Sequence, residues 1–549
     1  MVPGTDRNQD DRAARVPWLP GAIVLAVLAC FWPALDAEFV DWDDDLNLTD
    51  NAAYRGLGPA HLGWMLRTTL GGHYQPLTWL TFGLDHALWG MDAGGYHLTN
   101  VLLHAANAVL VFLLARALVA RALGPGCAPV LPPAAAIGAL LFAVHPLRVE
   151  SVAWVSERRD VLSGLFYLAT ILTYLRLQGA TGRRRAGWLA ASLACFVLSL
   201  LAKAWGMTLP LVLLVLDAYP LGRLGRGRWR AALAEKAPYA APALAAAVMA
   251  FLAQRSVEEM RSLAEHGLAA RVAQAAYGLC FYLGKTLLPL GLSPVYLLEP
   301  DLDPTAPRYL ASMAAVAGVT LAAIAFRRRR PWLLAAWAVY VVTVSPVLGI
   351  AQTGPQLVAD RYTYLACIPW ALVAAGAVAR LARRPRHALA VAGVALAVLG
   401  PLTVRQTAVW RDSRTLWTHA IRLDPASYLA YTNRGWAADD PAAALADYDD
   451  ALRLNPRYFL AYFNRGGVRH ERGDFAGAIA DYTAAIALLP RDPRAYNNRG
   501  WARQAAGDWA GAVADYERAL ALAAPGWPRR ALVEGNLAAA HARLEAGER

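Results

Sequence analysis

Eleven apolar runs follow one another along the chain, at 16–36, 98–120, 134–145, 161–178, 187–203, 206–220, 237–253, 309–326, 331–349, 362–380 and 388–404. A helix rises 1.5 Å per residue, so about 20 apolar residues cross a hydrocarbon core about 30 Å thick. Most of these runs have that length or nearly so. With 57% hydrophobic and 17% charged residues, the chain is far from the soluble balance of about half apolar and a quarter charged. The fold class expected is therefore all-α, a polytopic transmembrane helical domain of about 11 spans. The run from Val16 to Leu35 follows Arg7, Arg12 and Arg15. It is read as a retained anchor rather than a cleaved secretory signal, because its length suffices to span.

The net charge of +12 raises the question of nucleic acid. The basic residues, however, fall in short clusters between apolar runs, at Arg183 to Arg185, Arg223 to Arg230, Arg327 to Arg330 and Arg383 to Arg386. Nucleic-acid binding asks for a continuous basic face, whereas short basic loops are the mark of cytoplasmic membrane loops. No nucleic-acid partner is expected. Placing the N-terminal tail 1–15 in the cytoplasm puts all four clusters on the cytoplasmic side. The first outer loop, 37–96, and the C-terminal part then lie outside the cytoplasmic membrane. Val272 to Leu298 would upset this count if it crossed once, so it is read as re-entrant or interfacial, broken by Pro289, Gly291 and Pro294. Gly278 to Thr286 has five residues, not four, before its Gly-Lys-Thr end and no preceding strand, and is not a phosphate-binding loop. The five cysteines are scattered singly without metal-ligand spacing and read as small apolar packers.

Just beyond the first run lies Asp41-Trp42-Asp43-Asp44-Asp45. Four carboxylates packed around a Trp at a bilayer surface repel one another in a medium of low dielectric. Raised pKa values or a bound divalent cation follow, and either is useful chemistry. A solvated loop that enforces topology is the plainer alternative. Other outside segments carry guanidinium groups, against the positive-inside trend: His145-Pro146-Leu147-Arg148-Val149-Glu150, Glu157-Arg158-Arg159-Asp160 and Asp360-Arg361-Tyr362. Their planar forks suit a phosphate, and an anionic lipid substrate gives them a reason to be there. Lys203 at an outer span end is a further candidate for lipid phosphate. His97, Asn100 and His104 share one helix face; interhelical hydrogen bonding is the commoner use of such residues, a metal pair the rarer.

From Tyr431 the alphabet changes and the chain repeats. Ala461-Tyr462-Phe463-Asn464-Arg465-Gly466 returns as Ala495-Tyr496-Asn497-Asn498-Arg499-Gly500, and an earlier copy starts at Ala430. The 34-residue period is that of tetratricopeptide (TPR) repeats, helix pairs that stack into an α-solenoid with a concave, peptide-gripping groove. Trp410 to Pro425 is expected to cap the array and Leu532 to Ala546 to close it. The domains expected are thus a tail 1–15, a membrane domain 16–408 and a TPR domain 409–549.

These residues resemble the transmembrane and tetratricopeptide-repeat O-mannosyltransferases and their bacterial relatives, multi-span glycosyltransferases of the GT-C architecture. The likeness rests on Trp42-Asp43-Asp44, on Gly95-Tyr96-His97-Leu98-Thr99-Asn100 with His104, and on His145-Pro146 with Glu150, Arg159 and Asp160. Asp360-Arg361-Tyr362-Thr363-Tyr364-Leu365 and the trailing repeats complete it. It implies a polyprenyl-phosphate-linked hexose such as mannose as donor and a protein hydroxyl as acceptor, held in the TPR groove. Asp43 and Asp44 would stand at the reaction centre, Arg159, Arg361, Arg148 and Lys203 at the donor phosphate. Tyr74, His97, His145, Glu150, Asp160 and Tyr362 would line the pocket. The chain departs from animal members at Gln75-Pro76, where they tend to have Arg before the Pro, which leaves the sugar open. A non-catalytic membrane-anchored TPR scaffold is the other reading.

Overall fold

The computed structural model describes residues 16–225, 229–256, 262, 265–299, 301–352, 354–381, 385–524 and 526–547. The tail 1–15 expected in the cytoplasm, and parts of two of the basic loops, lie outside the described residues. The chain forms two compact units, Met1–Asp412 and Ser413–Arg549.

All eleven apolar runs are helical in the first unit. Among the described residues seven helices are long and apolar enough to cross a membrane, and up to nine if each of two bent pairs counts as one span. The bent pairs are Leu131–Ala143 with Pro146–Ala153, at 58°, and Asp360–Ala366 with Ile368–Arg380, at 54°. Two runs become shorter apolar helices, Ala204–Ala218 and Pro331–Val347. The first span shows how such a helix is read by its surroundings. Leu19, Ile23, Val27 and Phe31, one every fourth residue, are buried, while Leu25 is exposed, the pattern of one face on protein and the other free for lipid. Where spans touch closely the interface is made of small residues: a Cβ at Gly138 would sit 2.6 Å from the carbonyl oxygen of Ala371, so only glycine lets these two backbones approach.

Within the segment read as re-entrant or interfacial, Leu268–Leu287 is one regular helix, and the chain breaks after it. Pro289, Gly291 and Pro294 follow its end, and no continuous helix runs on to Leu298. The chain then pairs Tyr296–Leu297 antiparallel with Gln356–Val358, a two-stranded ribbon that leads directly into Asp360.

The second unit consists of helix pairs: Tyr428–Trp436 with Pro441–Leu454, Phe459–Glu471 with Phe475–Leu488, and Pro493–Ala505 with Trp509–Leu522. Ser413–Leu423 precedes them and Arg530–Glu545 follows. Within a pair, Gly500 lies so close to Tyr516 that a Cβ would meet its ring at 2.9 Å, and Gly466 meets Tyr482 in the same way at 3.0 Å. Asp515 is held by Arg499 (2.7 Å) and Arg503 (2.9 Å), and Asp481 by Arg465 (2.6 Å) and Arg469 (2.9 Å), 34 residues earlier.

Candidate active site

The acidic loop is organised by one of its members. Asp44 is fully buried. Its Oδ1 accepts from the backbone N–H of Ser156 at 2.9 Å and from the Ser156 hydroxyl at 2.6 Å, and its Oδ2 accepts from the N–H of Val40 at 3.1 Å. Asn47, a turn further on, donates to the Ser156 hydroxyl at 3.1 Å. Asp43 is half-buried, and among the described residues no hydrogen bond reaches its carboxylate. Burial pushes Asp43 up to about 7, with Arg159 opposing and Glu157 adding to the rise. Burial also pushes Asp44 up, to about 6, against the hydrogen bonds from Ser156 and Val40.

Three cations from three separate segments converge on one carboxylate beside Asp43. Glu157 accepts from Arg159 Nη2 at 2.6 Å and Nε at 3.2 Å, and from Lys203 Nζ at 3.0 Å, while Arg361 Nε lies 3.3 Å away. Lys203 reaches Asp160 at 2.6 Å, and Asp160 also accepts from Ser151 at 2.9 Å. Arg361 pairs with Glu150 through Nη1 and through its own backbone N–H. Glu150, Glu157 and Asp160 thus balance Arg159, Lys203 and Arg361. Each cation keeps a donor to spare: among the described residues Arg159 Nη1 and Arg361 Nη2 make no hydrogen bond, and Lys203 spends two of its three protons. Paired cations with unused donors attract an anion without the cost of an isolated buried charge.

Aromatic side chains fix these groups. The Arg361 guanidinium lies 5.4 Å from the Trp154 ring centre and 5.0 Å from that of Tyr362, and Lys203 lies 5.0 Å from that of Trp205. Trp154 stacks on Trp410 at 5.7 Å. Tyr296, delivered by the ribbon, donates to Asp360 at 3.1 Å.

Of the residues singled out from the sequence, Asp43, Arg159, Glu150, Asp160, Lys203 and Arg361 meet here, and Asp44 stands beside them. Others are placed elsewhere. Arg148, expected at the phosphate, is buried and spends Nη1 and Nη2 on the carbonyl and hydroxyl of Thr363, at 2.7 and 2.8 Å; it holds the 360s segment. His145, expected in the pocket, accepts from Leu147 N–H at 3.2 Å and has its other nitrogen 3.0 Å from the Thr286 carbonyl. His97 lies 3.4 Å from the Glu38 carbonyl, a packing position rather than a pocket wall. Tyr74 turns away to donate to the Leu66 carbonyl at 3.1 Å. Its neighbour His73 faces the cluster instead: burial, then Arg159 and Lys203, hold its imidazole well below the usual value, so it is neutral. The Tyr362 ring lies against the Arg361 guanidinium and its hydroxyl accepts from Gln356 at 3.1 Å. Glu157, Ser156 and His73 were not singled out. Glu157 sits in the quoted Glu157-Arg158-Arg159-Asp160 run, but nothing local says which of four consecutive polar side chains points to the centre. Among the described residues no group of three or more His, Cys, Asp or Glu side chains is arranged to hold a metal ion.

The fold and this site define a polytopic helical membrane protein with a buried cluster of paired charges at one end of its spans and TPR-type helix pairs after them. The TPR repeat family matches residues 466–507. The chain is 37% identical to mouse protein O-mannosyl-transferase TMTC2 over 163 residues, 29% of this chain and 18% of that one. It is 29% identical to Drosophila melanogaster protein O-mannosyl-transferase Tmtc3 over 224 residues, 37% and 24% of the two chains. With mouse protein O-mannosyl-transferase TMTC4 the identity is 30% over 224 residues, 38% and 30%. It is thus a relative of the TMTC protein O-mannosyl-transferases, and the matched stretches take up less than a third of their length. The crystal structure of ArnT from Cupriavidus metallidurans bound to undecaprenyl phosphate aligns with 94% of this chain and 82% of its own, at 15% identity and a TM-score of 0.35, a value at which the likeness carries no argument.

Proposed function

We propose that this protein is a membrane glycosyltransferase that moves a hexose from a polyprenyl-phosphate carrier to a hydroxyl of a protein acceptor. The acceptor is gripped by the TPR unit, and transfer takes place outside the cytoplasmic membrane. The observation that carries the reading is the Asp43 carboxylate, without a hydrogen-bond partner among the described residues, raised to about 7 and set beside three cations with donors to spare. A carboxyl group poised near neutrality and open to a substrate is what a general base requires.

In this scheme Asp43 takes the proton of the acceptor hydroxyl as its oxygen attacks the anomeric carbon. The bond from that carbon to the phosphate oxygen breaks, and the electron pair leaves with the phosphate. Arg159 Nη1, Arg361 Nη2 and Lys203 donate to the charge that builds there. One displacement inverts the anomeric centre. Asp44 does not react; it ties the loop to Ser156 and so aims Asp43. The added negative charge that the phosphate oxygen takes up as it leaves suits donors already ordered on Glu157, which need no reorganisation at the moment of reaction.

The names of the TMTC relatives support the transfer of mannose to protein, and the TPR match supports a polypeptide acceptor. The test supplies membranes carrying the protein with labelled polyprenyl-phosphate mannose and follows label into protein. Transfer by the wild type that disappears in Asp43→Asn is expected; equal incorporation by both would remove Asp43 from the chemistry.

A further inference from the structure

The end of the membrane unit away from this site has a second feature. Helix Arg158–Leu177 starts at the charged cluster, and its 20 residues carry it about 30 Å away. Ala93–Leu123 likewise starts beside Arg158, which donates to the Tyr96 carbonyl at 2.8 Å and to Asn100 at 2.8 Å. Ile368–Arg380 starts just after Arg361. Their far ends bring Arg121, Arg176 and Arg380 to the same side, and Arg121 lies within electrostatic reach of Arg176. Among the described residues none of the three pairs with a carboxylate. The acidic groups at this end are already committed: Asp217 to Arg223 (2.8 Å) and Lys236 (2.6 Å), Glu235 to Arg185 (2.5 Å) and Arg223 (2.7 Å).

Between these helices runs a cavity of about 250 Å³. Its wall is apolar except for Tyr167, Tyr219, Thr343 and Arg380, and Arg380 is its one charge. Along the last of the three helices the lining extends from Ile368 to Arg380, about 18 Å at 1.5 Å per residue, more than half of a hydrocarbon core. We propose that this cavity is a binding site for an anionic glycerophospholipid of the adjoining leaflet, with one acyl chain in the apolar channel and the headgroup phosphate at Arg380, in the field of Arg121 and Arg176. The guanidinium groups, without a carboxylate partner among the described residues, attract an anion, and the channel above them suits a hydrocarbon chain; one molecule supplies both. The isoprenoid carrier is a poorer fit, since its phosphate belongs with Arg159, Lys203 and Arg361 at the opposite end. The site does not depend on the transfer reaction.

The test uses the full chain purified in detergent and titrated with phosphatidylglycerol, phosphatidylcholine or polyprenyl phosphate, binding being read by native mass spectrometry. The wild type is expected to hold one phosphatidylglycerol at least tenfold more tightly than phosphatidylcholine. Arg380→Gln is expected to abolish that preference and Arg380→Lys to keep it. No atom lies within 4 Å of a Cβ placed at Gly376, which lines the channel, so Gly376→Leu is expected to occupy it and to weaken both phospholipids at least tenfold. Phosphatidylglycerol binding unchanged in Arg380→Gln and Gly376→Leu overturns the proposal. So does a Gly376→Leu variant that loses polyprenyl phosphate but keeps phosphatidylglycerol, which would give the channel to the carrier.

Discussion

Asp44 accepts two hydrogen bonds from Ser156, one from its backbone N–H at 2.9 Å and one from its hydroxyl at 2.6 Å, across 112 positions of sequence. That one contact pins the acidic loop to the segment that carries Glu157 and Arg159, and it separates the roles of two adjacent aspartates. Asp44 is occupied on both oxygens, while Asp43 stands beside the cations with no hydrogen bond to its carboxylate among the described residues.

Asp43→Asn is therefore expected to lower transfer by about 10²–10⁴, the usual contribution of a positioned general base, with no loss of melting temperature at pH 7. Asp44→Asn acts differently. Its amide can accept from Ser156 but turns N–H groups toward the Val40 N–H, leaving donors unmatched at a cost of about 1–3 kcal/mol. Thermal melting in detergent distinguishes the two variants, and an Asp43→Asn protein with wild-type transfer rates would contradict this division.

The pH dependence of transfer follows from the same group. With Asp43 at about 7 and the base needed ionised, the rate is expected to rise through neutrality and level off about one pH unit above. His73, held neutral by burial and its cationic neighbours, adds no second limb. A rate that is flat from pH 5 to 8 would show that another group takes the proton.

Stability should move the opposite way. The folded-state value of Asp43 lies above the unfolded value of about 3.9, so between pH 4 and 7 the folded state holds a proton that the unfolded chain has lost. Stability then falls as pH rises through that window, and the penalty is complete above about 7. Asp43→Asn is expected to stabilise the protein at pH 8, by about 1–2 kcal/mol once access to water is allowed for, and to do nothing at pH 4. Melting curves at the two pH values test the sign.

Arg158 and Arg159 are adjacent but not equivalent. Arg158 is fully buried against Asp85 at 2.5 Å and donates to Asn100 and the Tyr96 carbonyl. Arg158→Met strands the Asp85 charge and is expected to cost about 3–5 kcal/mol. Arg159→Lys keeps its charge but loses the paired contact with Glu157, and should reduce transfer more than it reduces melting temperature.

In the repeats, Gly500→Val places a branched side chain where even a Cβ would meet the Tyr516 ring at 2.9 Å and the Ala512 carbonyl at 3.3 Å. Overpacking of this kind costs about 1–3 kcal/mol. The expected readout is faster limited proteolysis within 493–522 than in the wild type, with the membrane unit unaffected.

Periodicity determined, by itself, what kind of molecule this is. Runs of about 20 apolar residues become spans because an unpaired peptide group is too costly in hydrocarbon for anything but a helix, and a 34-residue repeat becomes a stacked helix pair because one pair cannot bury its own face. Both rules act locally, so both are legible along the chain. Which of Asp43 and Asp44 is free, which of Arg158 and Arg159 turns to the centre, and that Glu157 gathers three cations were decided only by the tertiary structure. Neighbouring side chains on a turn of helix point about 100° apart, and their partners, Ser156, Asp85, Lys203 and Arg361, come from other segments. For the same reason Tyr74 and His73 exchange places: the alphabet of the loop names the candidates, and packing against distant helices selects among them.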